Sequence, residues 1–372
     1  MKKVMKKVIV WTSLLAVLTV GFAAAQITWT KVNEDFFGDP GNTGISSMAV
    51  YEGRLYAGTY NSETGTEIWR YNRRSWTQVN EDGFKEDPAA AKSNWCSLSM
   101  AVYNGCLYVG TGNHNGTELW RYDRTEWVYV ETGIEEENKE ISSMAVYDGC
   151  LYVGTGISEG TEIWRYDGTE WVQVNEDGFG DVNNSASSSM AVYNGCLYVG
   201  TFNYNGAEIW RYNAGVWTPV VSLGFGYTDN RGISSMAVYK GCLYVGTYSE
   251  RGAEIWKYNG EYWEWEIKEG IGNGCNEVSS SMAVYDGCLY VGTWNSMTGT
   301  EILRYDGTMW VQVNEDGFGE DVLSCSSMVV LDYYERFGFA YRELYVGTTI
   351  EATVWVMGSP RRFWDPDGGR WF

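Results

Sequence analysis

Apolar and polar positions alternate in short runs broken by turn residues along most of this chain. In one stretch, residues 142–147, 151–155, 162–166 and 171–174 are each rich in aromatic or β-branched side chains. That pattern predicts four strands, a to d, each fitted to a pleated surface. Asp148-Gly149 joins a to b. Glycine beside Asp or Asn tolerates the positive φ of a tight hairpin, and Asn104-Gly105, Asn194-Gly195 and Asp286-Gly287 repeat the device. The c–d link is equally constant: five positions separate Tyr71 from Trp76, Tyr122 from Trp127, Tyr166 from Trp171, Tyr212 from Trp217, Tyr258 from Trp263 and Tyr305 from Trp310.

The whole pattern recurs. Ser-Met-Ala-Val-Tyr around Met48 returns at Met100, Met144, Met190, Met236 and Met282, with a weaker copy at Met328, at intervals of 52, 44, 46, 46, 46 and 46 residues. Such a period belongs to stacked or radial repeats. A four-stranded unit this small cannot bury both faces alone, so its Trp and Tyr must pack on neighbouring units, each buried ring contributing about 2–3 kcal/mol. Seven copies predict an all-β fold, a seven-bladed β-propeller of four-stranded antiparallel blades. The ends are complementary: Trp29-Thr30-Lys31-Val32-Asn33 matches a strand d with nothing before it, whereas the seventh copy has a, b at 344–348 and c at 353–357 but no clear d. The N-terminal strand is therefore expected to pair into the last blade and close the ring, a loss an open solenoid would have no use for.

The termini and the charge set the surroundings. Lys2, Lys3, Lys6 and Lys7 precede an apolar run over 8–20 and Ala23-Ala24-Ala25, the pattern of a secretory signal over residues 1–25. The run is short for a bilayer span. The expected layout is a signal at 1–25, the propeller at 26–357 and an aromatic tail at 358–372, secreted, periplasmic or at the cell surface, with no membrane span after cleavage. Without the four signal lysines, 23 basic and 48 acidic residues remain, a net charge of about −25 at neutral pH. That balance excludes nucleic acid as a natural partner and favours cations.

Tyr-Asn-Gly-Cys-Leu-Tyr-Val-Gly-Thr at 103–111, followed by Glu118-Leu119-Trp120-Arg121-Tyr122-Asp123 and Trp127, resembles the kelch-type repeat of galactose-oxidase-like propellers. The resemblance spans residues 29 to about 357 and implies a scaffold only, because that family serves both binding and catalysis. Where the family ends strand b in paired glycines, this chain has Gly-Thr, as at Gly110-Thr111.

Chain direction puts the d–a and b–c loops on one face, and the d–a loops vary in length while the opposite turns stay fixed. Variable loops on a rigid frame are where binding residues usually lie. After the Thr ending strand b stand Tyr60, Gly112, Gly156, Phe202, Tyr248, Trp294 and Thr349. The four aromatics suit stacking on sugar rings, with Asn61, Asn203 and Asn295 as polar partners and Trp95 from the longest loop. The alternative is that the rings cover gaps between blades. On the other face, the seventh copy inserts Tyr333, Tyr334, Phe337, Phe339 and Tyr341 into its a–b turn, and the tail carries Trp364. These read as a plug for the closing blade or as a docking surface for another protein.

Asn-Glu-Asp at 33–35, 80–82, 175–177 and 314–316 supplies oxygens suited to Ca2+, but the spacing is no EF-hand and an acidic turn explains it more simply. No other cofactor or metal site is expected. Glu67, Glu118, Glu162, Glu208, Glu254 and Glu301 begin successive c strands, a recurrence that points to a structural bond. Cys106, Cys150, Cys196, Cys242 and Cys288 hold one repeated place too far apart to pair, and are expected as small buried groups. Cys275 and Cys325 are the one pair expected to meet as a disulfide, and Cys96 is left over. The only histidine is His114, which argues against His-based catalysis, although a carboxylate pair remains open. The leading expectation is an exported, non-enzymatic propeller that binds a glycan through its variable-loop face. The alternatives are a scaffold for a cell-surface protein partner, or a carboxylate-dependent glycosidase or lyase.

Overall fold

A computed structural model describes residues 27–156, 159–268, 270–334, 340–358, 364–365 and 370–371. It is an all-β array of repeated antiparallel four-stranded units. In the third unit, Glu140–Tyr147 pairs with Cys150–Gly156, that strand with Ile163–Tyr166, and that with Trp171–Gln173. Strands a and b run one or two residues further than the alternation predicts. Their extra residues pair across to the neighbouring unit, as Glu140 does with Gly112 and Gly156 does with Ala186. The d–a and b–c loops are correspondingly shorter. The signal at 1–25 lies outside the described residues.

Strand a of each unit lies against strand a of the next, and Cys325–Tyr334 lies against Gly44–Tyr51. A bulge in each strand a shapes this seam, as between Ile141 and Ser143 or between Ile45 and Ser47. The bulged residue turns its side chain toward the neighbour. Thus the Ser46 hydroxyl donates to the Ser97 carbonyl at 2.8 Å, Ser142 to Ser187 at 3.0 Å and Ser234 to Ser279 at 2.9 Å, while Ser326 donates to Ile45.

The Gly-Thr that ends strand b follows from this closeness. A Cβ on Gly200 would stand 2.4 Å from Ile233 Cβ, and one on Gly110 2.5 Å from Ile141 Cβ. The adjoining Thr59, Thr111, Thr155 and Thr201 are fully buried, and their hydroxyls accept the backbone N–H of Glu67, Glu118, Glu162 and Glu208 at 2.9–3.0 Å. A second glycine there would leave that buried donor unpaired.

An aromatic clasp joins the outer strands. Phe179, held at φ 60° in the turn after strand d, stacks on Trp210 at 4.7 Å and meets Trp217 edge-on at 4.9 Å in the next unit. Phe84 does the same with Trp120 and Trp127. A left-handed backbone costs a non-glycine residue about 1–2 kcal/mol, which burial of the ring offsets. Phe318 repeats the clasp on Trp355 at 4.8 Å and on Trp29 at 5.3 Å.

Trp29–Lys31 pairs with Val354–Met357, with Trp29 opposite Met357 and Lys31 opposite Trp355. Its indole N–H donates to the Val313 carbonyl at 2.8 Å, as Trp76 does to Val32 and Trp127 to Val79. Asn33 accepts the Val354 N–H at 2.7 Å, in the way Asn80 and Asn175 accept those of Ile68 and Ile163. The first Asn of Asn-Glu-Asp is therefore used to tie strand d to strand c. In the tail, Trp364–Asp365 pairs with Arg370–Trp371. The described residues contain no helix long and apolar enough to cross a membrane.

Candidate functional site: a belt around the inner strands

A residue at or near the start of each strand a and one at or near the end of each strand b pair both within a unit and with an adjoining unit. Gly44 pairs with Tyr60, Tyr60 with Cys96, Cys96 with Gly112, Gly112 with Glu140 and Glu140 with Gly156. The run continues through Ala186, Phe202, Gly232, Tyr248, Val278, Trp294 and Ser324. Thr349 then donates its N–H to the Ser324 carbonyl and bridges back to Gly44. The result is a continuous belt on the face of the d–a and b–c loops.

Tyr60, Phe202, Tyr248 and Trp294 thus stand on strand ends pinned by backbone bonds to two units, rather than on loops. All four are half-buried. Phe202 and Tyr248 stack at 6.0 Å, and the exposed Tyr204 meets Phe202 edge-on at 5.0 Å with Arg231 over the Tyr204 ring at 5.6 Å. Trp95 packs beside Tyr60 at 5.7 Å and stacks on His114 at 5.8 Å. Trp95 is half-buried, where its loop position suggested greater exposure.

Glu140 is the only carboxylate in the belt, and it was not evident as a site residue from spacing. Setting the seven copies in register would have exposed it, because the other residues in its column are Gly44, Cys96, Ala186, Gly232, Val278 and Ser324. It lies between the two glycines of the aromatic column. A Cβ on Gly156 would stand 2.8 Å from its Oε2, and one on Gly112 2.9 Å from the Trp95 ring. Burial raises the Glu140 carboxyl above its usual range. Burial does the same to the Tyr60 phenol and the Cys96 thiol, and the Glu140 charge adds to both.

Asn61, Asn203 and Asn295, expected as polar partners for a ligand, are instead buried, at 0, 2 and 0 % exposure. Asn61 donates to Asn42 and accepts the N–H groups of Glu63 and Thr64. Asn42 in turn donates to Glu67 at 2.7 Å, and Trp69 donates to the same oxygen at 2.7 Å. The chains Asn203–Asn184–Glu208–Trp210 and Asn295–Asn276–Glu301 repeat this. The physical reason is that the b–c and d–a loops fold under one another and leave peptide groups that water cannot reach. The last unit replaces both ends at once: Val322 stands for the Asn, and Thr353 takes the Trp355 N–H at 3.0 Å in place of the Glu.

Burial pushes the Glu67 carboxyl up to about 7, against the opposing donors Asn42 and Trp69. A folded-state value above the unfolded one binds protons on folding, so this contribution is fully present below pH 4.5 and is lost as pH rises through about 7. The expected result is that the full chain loses stability between pH 5 and pH 8 by up to about 3 kcal/mol more than Glu67→Gln does, at roughly 1.4 kcal/mol per unit. Urea denaturation of both chains at the two pH values checks it, and equal slopes would contradict the assignment.

In the seventh unit, Cys325–Tyr334 and Ala340–Thr348 extend as a hairpin with Tyr333 opposite Tyr341. Their rings stack at 5.2 Å, and Arg73 of the first unit lies over Tyr333 at 4.0 Å. Tyr333 is half-buried there against the first unit. Phe337 and Phe339 lie outside the described residues, as do the side chains of Tyr334 and Trp364.

The Cys275–Cys325 disulfide is not formed; all eight cysteines are free. Cys325 is fully buried in the seam, where a Cβ on Gly292 would stand 2.4 Å from its sulfur. Cys275 stays in its loop, its N–H bonded to Asn273. Cys106, Cys150, Cys196, Cys242 and Cys288 are half-buried, less enclosed than expected, because they open strand b at the turn.

A cleft of about 770 Å3 lies away from the belt, lined by Ile27, Trp29, Val313, Phe318 and Trp355.

No protein-family model and no curated protein matches this chain. Solved structures do. The extracellular domain of BT4673 from B. thetaiotaomicron is similar at 16% identity and a TM-score of 0.59, over 89% of this chain. The match spans 40% of that protein chain. YCF48 bound to D1 peptide is similar at 10% identity and a TM-score of 0.58, over 89% of this chain and 97% of that one. YCF48 from Cyanidioschyzon merolae gives 12% identity and a TM-score of 0.56 over 88% and 98%. These are β-propeller-like repeat proteins, and at such identities the likeness is one of fold alone.

Proposed function

We infer that this chain is an exported, seven-bladed β-propeller, closed by its N-terminal strand, that binds a glycan through the face carrying the belt. The observation that carries the reading is the placement of Tyr60, Phe202, Tyr248 and Trp294, half-buried and pinned by backbone pairing on two sides. Rings held this way keep one face for a sugar at little entropic cost on binding. Several rings spaced along one belt suit an oligosaccharide better than a single small molecule. The glutamates at the start of strand c are held in structural bonds, which leaves a binding role as the better account of this face.

Trp294→Ala and Tyr248→Ala should each weaken oligosaccharide binding about tenfold or more, the loss of one stacking platform of about 1.4 kcal/mol. Titration calorimetry against a panel of neutral and charged oligosaccharides tests this. Unchanged affinity in both variants, or no sugar bound by the full chain, would end the reading.

A further inference from the structure

The third unit breaks the pattern of the belt in three linked ways. It places Glu140 where the other copies have Gly, Cys, Ala, Gly, Val and Ser. Its flanking positions are Gly112 and Gly156, where four other copies carry Tyr60, Phe202, Tyr248 and Trp294. Two residues before it, the Asn138 amide is fully buried and finds no partner among the described residues, where Asn94 and Asn184 each reach a glutamate.

Glu140 is half-buried and makes no ion pair or side-chain hydrogen bond among the described residues. Desolvating a carboxylate without a partner is unfavourable, and a cation supplied from outside relieves the cost. Gly112, the belt partner of Glu140, would place a Cβ 2.9 Å from the Trp95 ring, and Trp95 packs beside Tyr60 at 5.7 Å. An aromatic cluster beside one carboxylate suits an organic ammonium group. The excess of acidic over basic residues draws such a group toward the protein at long range.

We propose that Glu140, Tyr60 and Trp95 form a subsite for the ammonium group of an amino sugar, so that the glycan taken by the belt is one with free amines. This rests on the glycan reading above and narrows its ligand. A neutral sugar stacks on the rings but leaves Glu140 unpaired, and an N-acetyl group neutralises the charge the subsite answers.

The test is titration of the full chain with β-1,4-linked tetramers of glucosamine, N-acetylglucosamine and glucose at pH 6, repeated with Glu140→Gln and Trp95→Ala. The glucosamine tetramer should bind at least tenfold more tightly than the other two. Glu140→Gln should abolish that preference while changing affinity for the N-acetylated tetramer less than twofold. Trp95→Ala should weaken the glucosamine tetramer about fivefold or more with the carboxylate still present. Thermal melting confirms that each variant is folded. Equal binding of all three tetramers, or a preference that survives Glu140→Gln, would overturn the subsite while leaving the glycan reading intact. Binding of none would overturn both.

Discussion

A chain that begins at Asp35 is expected to melt about 10 °C or more below one that begins at Gln26, or to lose cooperative unfolding altogether. The lost segment supplies Trp29, whose ring packs on Phe318 and whose N–H fills the Val313 carbonyl, and Asn33, which takes the Val354 N–H. Trp29→Ala alone should cost about 3 kcal/mol. Removing the whole strand adds an exposed edge along Val354–Met357, a template for association with other chains. Circular dichroism melts and size-exclusion profiles check both effects. A peptide covering residues 27–34, added in trans, should recover most of the lost stability. A truncated chain that melts with the full one would show that this strand contributes no closure.

The second large effect lies in the seam between units. Gly200→Ala should destabilise by about 3 kcal/mol, because its new Cβ would stand 2.4 Å from Ile233 Cβ and 2.9 Å from Met236 Cε. Ile233 is fully buried on the adjoining strand a, so relief requires moving a whole unit rather than turning one side chain. Gly274→Ala is the matched control: nothing stands within 4 Å of its Cβ position and its φ is not in the left-handed range. It should stay within about 0.5 kcal/mol of the parent. Chemical denaturation of the two variants separates them. A Gly200→Ala chain as stable as the control would mean that the units sit further apart than described.

Much of this architecture could be read from spacing. The recurrence of Met-Ala-Val-Tyr and of the Tyr-to-Trp interval marks strands a, c and d, because each element is short, local and repeated in a fixed turn geometry. The structural use of the strand-c glutamates was legible for the same reason, since a bond needed in every unit recurs in every unit. What the spacing hid depends on contacts between units some forty residues apart. Tyr60 reads as the first loop residue after Thr59, yet its backbone pairs with both Gly44 and Cys96. Asn61, beside it, looks like a surface polar group, but its amide fills a buried turn. Cys325 looks available for a disulfide until the seam is built around it. Glu140 carries no local signature at all; only its column in the aligned copies sets it apart.

The proposed closure rests on two contacts between the ends of the chain, Trp29–Lys31 on Val354–Met357 and Gly44 on Thr349. Hydrogen–deuterium exchange of the peptides covering 27–34 and 354–358 reads it directly, because the Val32 and Gly358 amides donate to Val354 and Thr28. The account predicts protection in both peptides equal to that of the inner strands, lost together as the chain unfolds. Exchange of the 27–34 peptide at the rate of an unstructured chain, with the inner strands still protected, would contradict it.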